Sequence, residues 1–445
     1  MNNLIDSEQT GDLPDGTLPV ENWSDLSAEE QASLFSSLPI SDASTLFYSL
    51  DAFGKTNLLL TLPADSKKLW LRQLAPDDIA DVIQAAPADD RISLFSLLDP
   101  VSSVEVSALL AYDEDNAGGL MSPRYARIRP DMSVDEAISY LKRQTRNQIE
   151  DVYYLYVLDS EQHLLGVVAF RDLFGADPKK IVRDIMIKDP VRVLDTMDQE
   201  SVSKVLADYH LLAVPVVDTE GRMQGIVSIK DVVDVVKEEA TEDIQKMGGT
   251  EVLDAPYLAT SIRAMIRKRG SWLAVLFIGE LLTAAVMSHY EQDIAKAVML
   301  TLFIPLIISS GGNSGSQAST LVIRALALGE LRSRDWWRVF RRELGIGVSL
   351  GSILALLGLV KIALWPSLVG NHSQHSLLIG AVVGLSLVGV VTYGAVIGAI
   401  LPILLRKLGF DPASASAPMV ATLVDVTGLA IYFSIAQAIL GGVLL

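Results

Sequence analysis

The distribution of apolar residues divides the chain into a mixed front part and an almost continuously apolar back part. After residue 270, five apolar segments each come near or exceed the roughly 20 residues that a membrane-spanning helix needs. We place these spans at Ser271–Ser288, Ala295–Leu328, Ile346–Trp365, Leu377–Leu405 and Ala417–Leu445. The pattern therefore predicts a transmembrane domain of five α-helices over residues 271–445.

Shorter apolar periods predict an all-helical N-domain over residues 22–120. Leu-rich stretches alternate with Pro followed by Asp or Ser, as in RQLAPDDIADVIQAAPADDR, and such residues mark helix starts. Ile79, Val82 and Ile83 fall at helical spacing. Residues 1–21 have neither the basic start nor the apolar run of a signal peptide, so we expect a disordered lead there.

Residues 121–230 contain an internal repeat. The stretch YVLDSEQHLLGVVAFRDLF (Tyr156–Phe174) matches PVVDTEGRMQGIVSIKDVV (Pro215–Val233) at a spacing of 59 residues. Each copy has the pattern of a strand, a turn, a second strand and a helix, which predicts a paired α/β module. The charged stretch that follows, over residues 231–270, is predicted to be a long connecting helix that leads into the first span.

Charge separates the two parts of the chain. Residues 1–262 contain 46 Asp and Glu against 22 Lys and Arg, whereas residues 263–445 contain 8 against 14. An acidic body repels nucleic acid and attracts cations, so we expect no nucleic-acid partner. The chain has no cysteine, which excludes disulfides, thiolate metal sites and cysteine nucleophiles.

Basic residues lie in alternate loops of the predicted membrane domain. RKRG precedes the first span, RSRDWWRVFRR separates the second from the third, and RK follows the fourth. The loops HYEQD and WPSLVGNHSQHS contain no Lys or Arg. Because cytoplasmic loops carry the excess of positive charge, we expect a multi-pass protein of the plasma (bacterial inner) membrane, with its front part cytoplasmic and its C-terminus outside.

Asp425 is an isolated acid in the fifth span, where a central carboxylate costs about 2.5–3.5 kcal/mol. Such a group normally faces water, a partner or an ion. One carboxylate cannot enclose a hard cation, but two copies facing each other across the axis of a homodimer can hold a hydrated divalent ion through its waters. Mg²⁺ fits this arrangement because it dehydrates reluctantly.

The second span, LFIPLIISSGGNSGSQASTLVIRALALG, predicts an interruption of the helix at membrane depth. Irregular backbone there must be buried in protein or line a watery cavity, which suits the path of a hydrated ion. The alternative is that small residues only allow helices to pack closely. The residues that we expect to line an ion path are Asp425, Asn313, Gly311, Gly312, Gly315 and Gln317. Glu280, in the first span, faces either this path or another helix of the bundle.

Together these features resemble the MgtE family of magnesium channels and transporters. The resemblance rests on YDEDNAGGLMSP, EATEDI, FIPLIISSGGNSGSQAST and PMVATLVDVTGLAIYFSIA, and it extends over Asn22–Leu445. It implies a multi-domain membrane protein with an all-α superhelical N-domain, an α/β tandem CBS module, a connecting helix and five spans. It also implies a magnesium-selective homodimer with a central pore, in which Asp425 is the pore carboxylate and the connecting helix is a plug at the cytoplasmic mouth.

The resemblance further implies regulatory Mg²⁺ sites that join the N-domain, the CBS module and the plug. The matching acids are Asp77, Asp81, Asp198, Glu200, Asp231, Asp234, Glu239, Glu242 and Asp243. Relatives also bind ATP at the CBS module, and the matching positions are Tyr154, Arg171 and Asp172. Two positions depart from the family pattern, because His210 replaces an acid of the sensor and Ala417 replaces an Asn near the ion.

The acids of the plug suggest how transport is regulated. They repel one another at low cytoplasmic Mg²⁺ and are bridged at high Mg²⁺, so the transported ion closes its own path. Several ions are needed, because moving a two-state balance from 1:99 to 99:1 takes about 5.5 kcal/mol. The alternative is an ordinary solvated helix face.

Three other functions compete with a magnesium importer. One is a membrane-anchored CBS nucleotide sensor, and another is an exporter of Mg²⁺ or Co²⁺. The third, an intramembrane aspartyl protease, needs two Asp residues that share a proton, whereas the spans contain only Asp425. We therefore expect a transport protein and not an enzyme.

Overall fold

The computed structural model describes residues 23, 26–144, 153–296, 298–369 and 376–441. The expected disordered lead, residues 1–21, lies outside the described residues. The chain forms two compact units, Met1–Glu238 (the front unit) and Glu239–Leu445 (the membrane unit).

The first part of the front unit is a stack of short helices, as the Leu-rich periods predict. Ser27, Asp51 and Asp99 each cap a helix by accepting a backbone N–H through the side chain. The rings of Phe47 and Trp70 pack in the core at an angle of 44°, with their centroids 5.0 Å apart. The helices in the described residues are α1 (Ala28–Ser37), α2 (Ile40–Ser49), α3 (Ala52–Thr61), α4 (Ala64–Leu71), α5 (Pro76–Ala85), α6 (Ala88–Phe95), α7 (Pro100–Leu109) and α8 (Ala117–Leu120).

The second part of the front unit is the paired α/β module. Its first sheet has the order β1-β2-β3-β4 and its second the order β5-β6-β7. The strands are β1 (Arg127–Ile128), β2 (Tyr154–Leu158), β3 (Leu164–Ala169), β4 (Ile187–Lys188), β5 (Val193–Leu194), β6 (Ala213–Val217) and β7 (Met223–Ser228). The helices are α9 (Val134–Gln144), α10 (Phe170–Gly175), α11 (Val182–Ile185), α12 (Gln199–Tyr209) and α13 (Ile229–Met247), whose residues from Glu239 onward belong to the membrane unit.

The internal repeat of the sequence is a structural repeat with the same spacing. The antiparallel hairpins β2–β3 and β6–β7 begin and end 59 residues apart, and both carry a register shift at the same position. Gly166 and Gly225 occupy equivalent places, where a Cβ would meet a backbone carbonyl oxygen at 2.7 Å. The predicted tandem α/β module is therefore confirmed.

The connecting helix is shorter than the sequence pattern predicts. Helix α13 ends at Met247, and Gly249 follows in the left-handed conformation with φ 72°. Glycine adopts this conformation without a steric penalty and commonly ends helices. The prediction of one helix through residue 270 was wrong, because an irregular segment separates α13 from the next helix, which begins at Ile262.

Among its described residues, the membrane unit contains five helices long and apolar enough to cross a membrane, in agreement with the sequence. They are α14 (Ile262–His289), α16 (Ile304–Ala327), α17 (Trp336–Val369), α18 (Ser376–Lys407) and α19 (Ala417–Leu440), and a short helix α15 (Glu291–Lys296) follows α14. Buried Val390, Val424, Tyr432 and Phe433 form part of the core that α16, α18 and α19 share.

The predicted interruption of the second span was wrong. A 3₁₀ turn over Val298–Phe303 precedes α16, and α16 then runs as one α-helix through the glycine-rich stretch. The small residues have a packing role instead. A Cβ on Gly394 or Gly398 of α18 would collide with the carbonyl oxygen of Gly311 or Gly315. Close approach of α16 and α18 thus requires glycine on both helices.

Candidate ion path and acidic cluster

One face of α16 carries polar side chains that no other described part of this chain covers. Ser309, Asn313, Gln317 and Thr320 are all exposed and follow one another at spacings of three or four residues. This spacing places them on one side of the helix, which we call the polar stripe. Polar side chains in a span normally face a bundle interior or water and not lipid. The stripe therefore needs a watery path or a second chain beside it.

The glycines that the sequence analysis placed on the ion path do not share this face. Gly311 lies against Val390 of α18 and Gly315 against Val420 of α19. Gly312 is buried too, with Ala421 as its neighbour. Helix packing accounts for these three glycines of α16, whereas Asn313 and Gln317 lie on the polar stripe.

Asp425, on α19, is half-exposed and has a carboxyl neighbour within the membrane domain. Its side chain lies within hydrogen-bonding reach of Glu280 on α14. The two helices approach closely one residue earlier on α14, where a Cβ on Gly279 would meet Thr422 at 2.6 Å. Sequence reasoning left the orientation of Glu280 open, and the structure pairs it with Asp425.

Two hydroxyl groups join the start of α19 to α16. Ser319 donates to the carbonyl oxygen of Ala415 (2.8 Å), and Ser316 donates to that of Ala417 (3.3 Å). Ala417, the position that departs from the family pattern, thus accepts a bond through its backbone. These bonds hold the helix that bears Asp425 against the helix that bears the polar stripe.

A second concentration of acids lies in the front unit. Asp77, Asp78 and Asp81 on α5 come near Asp231 at the start of α13, and we call these four residues the acidic cluster. Asp77 and Asp231 line a small cleft together with Arg124 and Lys230. Asp231 accepts from the backbone N–H and the hydroxyl of Ser228, both at 2.8 Å. Asp77 is buried, and among the described residues its Oδ1 has no hydrogen-bond donor.

The acidic cluster holds its negative charges at a cost. Burial and the like charges of Asp231 and Asp78 raise the pKa of Asp77 to about 6. Desolvation and neighbouring carboxylates, including Asp77 and Glu114, raise the pKa of Asp81 well above its ordinary value. Burial also raises the pKa of Asp231. A cation at this place would relieve the repulsion, as a proton does.

Lysines compensate only part of the cluster. Asp78 lies 3.3 Å from the Lys55 ammonium and 3.9 Å from that of Lys230. Sequence reasoning missed Asp78 and Glu114. The signals were present, because Asp78 adjoins Asp77 in PDDIAD and Glu114 lies in the YDEDNAGGLMSP stretch.

The other acids predicted as metal ligands are distributed along the chain. Asp198 caps α12 by accepting from Ser201, and Glu200 forms an ion pair with Lys204 at 2.8 Å. On α13, Asp234 is exposed, Glu239 and Asp243 are half-buried, and Glu242 forms an ion pair with Lys246. Within the described ranges, no three acidic or histidine side chains of one chain converge closely enough to hold a metal ion.

The predicted nucleotide residues lie in the first half of the α/β module. Tyr154 begins β2, and Arg171 and Asp172 lie in the first turn of α10, where they form an exposed ion pair at 3.5 Å. His210, the second departure from the family pattern, is exposed and ends α12 with φ 51°. This left-handed position tolerates His and Asp better than most residues.

Three family models match successive parts of the chain. The MgtE intracellular N domain matches residues 20–115, and CBS domains match residues 117–179 and 182–238. The model described as MgtE, divalent cation transporter, matches residues 304–435. The matches follow the order of the helical stack, the α/β module and the membrane helices.

Two relatives align with the chain over most of their own length. The chain is 41% identical to the magnesium transporter MgtE of Thermus thermophilus over 95% of this chain and 92% of that protein. It is 30% identical to the Bacillus subtilis magnesium transporter MgtE over 94% of this chain and 90% of that protein. A solved cytosolic domain of the Mg²⁺ channel MgtE in complex with ATP is 40% identical, with a TM-score of 0.46, over 48% of this chain and 88% of that one. The chain therefore belongs to the MgtE family of divalent cation transporters, which are multi-pass membrane proteins and not enzymes.

Proposed function

We propose that this protein is a homodimeric, magnesium-selective channel or transporter that moves Mg²⁺ into the cytoplasm and is closed by cytoplasmic Mg²⁺. The observation that supports the proposal is that Asp425 and the polar stripe of α16 lie close together in the membrane unit. Asp425 and the polar stripe of α16 lie on adjacent, hydrogen-bonded helices, and both keep exposed surface within apolar spans.

A second copy of the chain completes the path in this proposal. Asp425 of each chain faces the axis, and the two carboxylates hold a hydrated Mg²⁺ through its waters. Asn313 and Gln317 supply amide oxygens along the way. The Glu280 carboxyl lies within hydrogen-bonding reach of Asp425 and orients the Asp425 side chain. Magnesium transport by full-length relatives supports this choice of cargo.

The direction of transport follows from charge. The basic loops support a cytoplasmic position for the front unit. The potential is negative on that side, so a cation moving through a passive path is drawn inward. Because the chain contains no cysteine, single cysteines at Glu291 and Glu330 can be labelled from each side of the membrane to test this orientation. Labelling of Glu291→Cys only from outside and of Glu330→Cys only from inside is the expected result.

The acidic cluster and the acids of α13 form the regulatory part of the proposal. The cluster fits a divalent cation, because a buried Asp77 oxygen has no donor among the described residues and its neighbours are also acidic. Asp77, Asp81 and Asp231 are the proposed ligands of such an ion, with Asp198, Glu200, Asp234, Glu239, Glu242 and Asp243 as further ligands. Because no three of these acids converge in the described ranges, binding would have to draw them together. A bound ion neutralises like charges and favours the compact, closed arrangement.

ATP is proposed as a further regulator at the α/β module. Arg171 offers an exposed guanidinium for phosphate, and Tyr154 offers a ring at the start of β2. ATP-dependent protection of the module in hydrogen exchange, lost in Arg171→Ala, is the expected result. Equal exchange with and without ATP would contradict this regulation.

The experiment that tests the main proposal is Mg²⁺ flux in proteoliposomes of the full chain, followed by recordings at rising Mg²⁺ on the cytoplasmic side. We expect uptake that empty liposomes lack and an open probability that falls as Mg²⁺ rises. No uptake would contradict transport, uptake only against the gradient with an energy source would favour an exporter, and a flat open probability would contradict regulation by Mg²⁺.

A further inference from the structure

The C-terminal turn of the connecting helix α13 is tied to the loop that begins the fifth span. The ammonium of Lys246 lies 2.6 Å from Oδ2 of Asp411 and also contacts Glu242. The other oxygen of Asp411 accepts the backbone N–H of Ala413 at 2.8 Å. One carboxylate thus holds the turn before α19 with one oxygen and the connecting helix with the other.

Apolar contacts surround this ion pair. Met247 packs against a cluster that contains Ile323 of α16 together with Ala413 and Ala415 of the loop. Gly249 lies so close to α14 and α19 that an added Cβ would meet Trp272 at 2.7 Å and Pro418 at 3.2 Å. The last turn of α13 therefore contacts the membrane helices at several points and not only through a flexible surface pair.

The same loop leads directly to the ion path. Ala415 and Ala417 accept the hydroxyls of Ser319 and Ser316 on the helix with the polar stripe. Pro418, in the first turn of α19, precedes Asp425 by seven residues, or about two helical turns. A displacement of the loop thus acts on α16 and α19 together.

We propose that Lys246 and Asp411 are positioning residues that hold the end of the connecting helix against the loop before the fifth span, and so transmit the state of α13 to the helices that line the path. This inference rests on the proposed function, because it supplies the link between cations bound at the acids of α13 and the path. Hydrogen bonds to Asp411 and Glu242 outweigh the effect of burial and raise the pKa of Lys246, so the ammonium stays charged at physiological pH.

The test compares variants of the full chain in planar bilayers, with two quantities measured for each. These are the maximal Mg²⁺ current and the cytoplasmic Mg²⁺ concentration that halves it. Lys246→Met and Asp411→Asn should each raise the halving concentration by roughly fivefold or more and leave the maximal current near that of the wild type. Lys246→Arg should keep most of the coupling, and the double variant should add little to either single change.

Lys407→Met is the matched control, because Lys407 is an exposed lysine just before the same loop. Its halving concentration should equal that of the wild type. Hydrogen exchange provides a readout that does not depend on transport, since amides of residues 411–416 should exchange faster in Lys246→Met and at the wild-type rate in Lys407→Met.

Three results would overturn the inference. They are a wild-type halving concentration in Lys246→Met, a loss of maximal current without a change in the halving concentration, and unchanged exchange over residues 411–416. Failure of the proposed function looks different, because the wild-type protein itself would then conduct no Mg²⁺ or would stay open as cytoplasmic Mg²⁺ rises.

Discussion

Several carboxyl groups of this protein lie in surroundings that are unusual for a charged group. Asp425 and Glu280 lie together among apolar helices, and Asp77 is buried in the front unit with an oxygen that lacks a donor in the described part of the chain. The sequence identified Asp425, since an isolated acid in a span is conspicuous. It did not predict the contact with Glu280, because two acids 145 positions apart are joined only by the packing of α14 on α19.

Protonation of Asp77 should link stability to pH. The pKa of Asp77 is raised to about 6 in the folded chain from an ordinary value near 3.8, so its charged form opposes folding above pH 6. As pH falls from 7.5 to 5, the proton relieves this cost and the front unit should become more stable with respect to this group. Mg²⁺ relieves the same repulsion, so its stabilising effect should be larger at pH 7.5 than at pH 5.

Thermal unfolding of the full chain in detergent, with and without Mg²⁺ at the two pH values, measures this linkage. Asp77→Asn should raise the melting temperature at pH 7.5 without Mg²⁺ and weaken the response to Mg²⁺. Asp65→Asn, at an exposed acid of the same helical stack, is the control and should behave as the wild type. An Mg²⁺ response of equal size at both pH values would contradict a role for Asp77.

Elements in the membrane unit are held together by small residues as much as by large ones. Glycines in the second span suggested a broken helix, because the same residues that interrupt a helix also allow two helices to touch. The structure shows the second use, with carbonyl groups of α16 against the Cα atoms of Gly394 and Gly398. A sequence pattern on one helix cannot distinguish the two uses, since the deciding glycines lie about 80 residues away on α18.

Gly398→Ala should therefore destabilise the membrane unit. Its methyl group would collide with the carbonyl oxygen of Gly315, and overpacking of this kind typically costs about 1–3 kcal/mol. Gly270→Ala is the matched control, because a Cβ there meets no atom within 4 Å and Ala stabilises a helix by roughly 0.5–1 kcal/mol relative to Gly. The melting temperature in detergent should decrease only for Gly398→Ala. Equal melting temperatures of the two variants would contradict close packing of α16 on α18.

The elements of the front unit were predicted more fully than those of the membrane unit. The repeat of 59 residues predicts both hairpins, because each copy contains its own turn between two stretches with the strand pattern. The two hairpins have the same register in the structure. The end of the connecting helix was placed too late, because the apolar and basic residues after Gly249 continue a helical pattern. The left-handed glycine and the segment after it interrupt that pattern.

In the assembled protein, the polar stripe of α16 must face water if it lines the ion path. Asn313→Cys in this cysteine-free chain should react with a charged, water-soluble thiol reagent, and the modification should block Mg²⁺ flux. Leu356→Cys, at an exposed apolar position of α17, should neither react quickly nor lose flux when treated. Slow reaction at Asn313, or reaction without block, would place the stripe away from the path.

If Mg²⁺ passes beside Asp425, Mg²⁺ flux into proteoliposomes must depend on that carboxyl group. Asp425→Ala should abolish uptake or reduce it by at least about tenfold, whereas Thr427→Val, on the same helix two residues later, should retain it. Thr427 is a suitable control because its hydroxyl bonds only to the carbonyl oxygen of Leu423 in its own helix among the described contacts. Equal Mg²⁺ flux in the wild type and Asp425→Ala, at equal amounts of folded protein, would contradict the account.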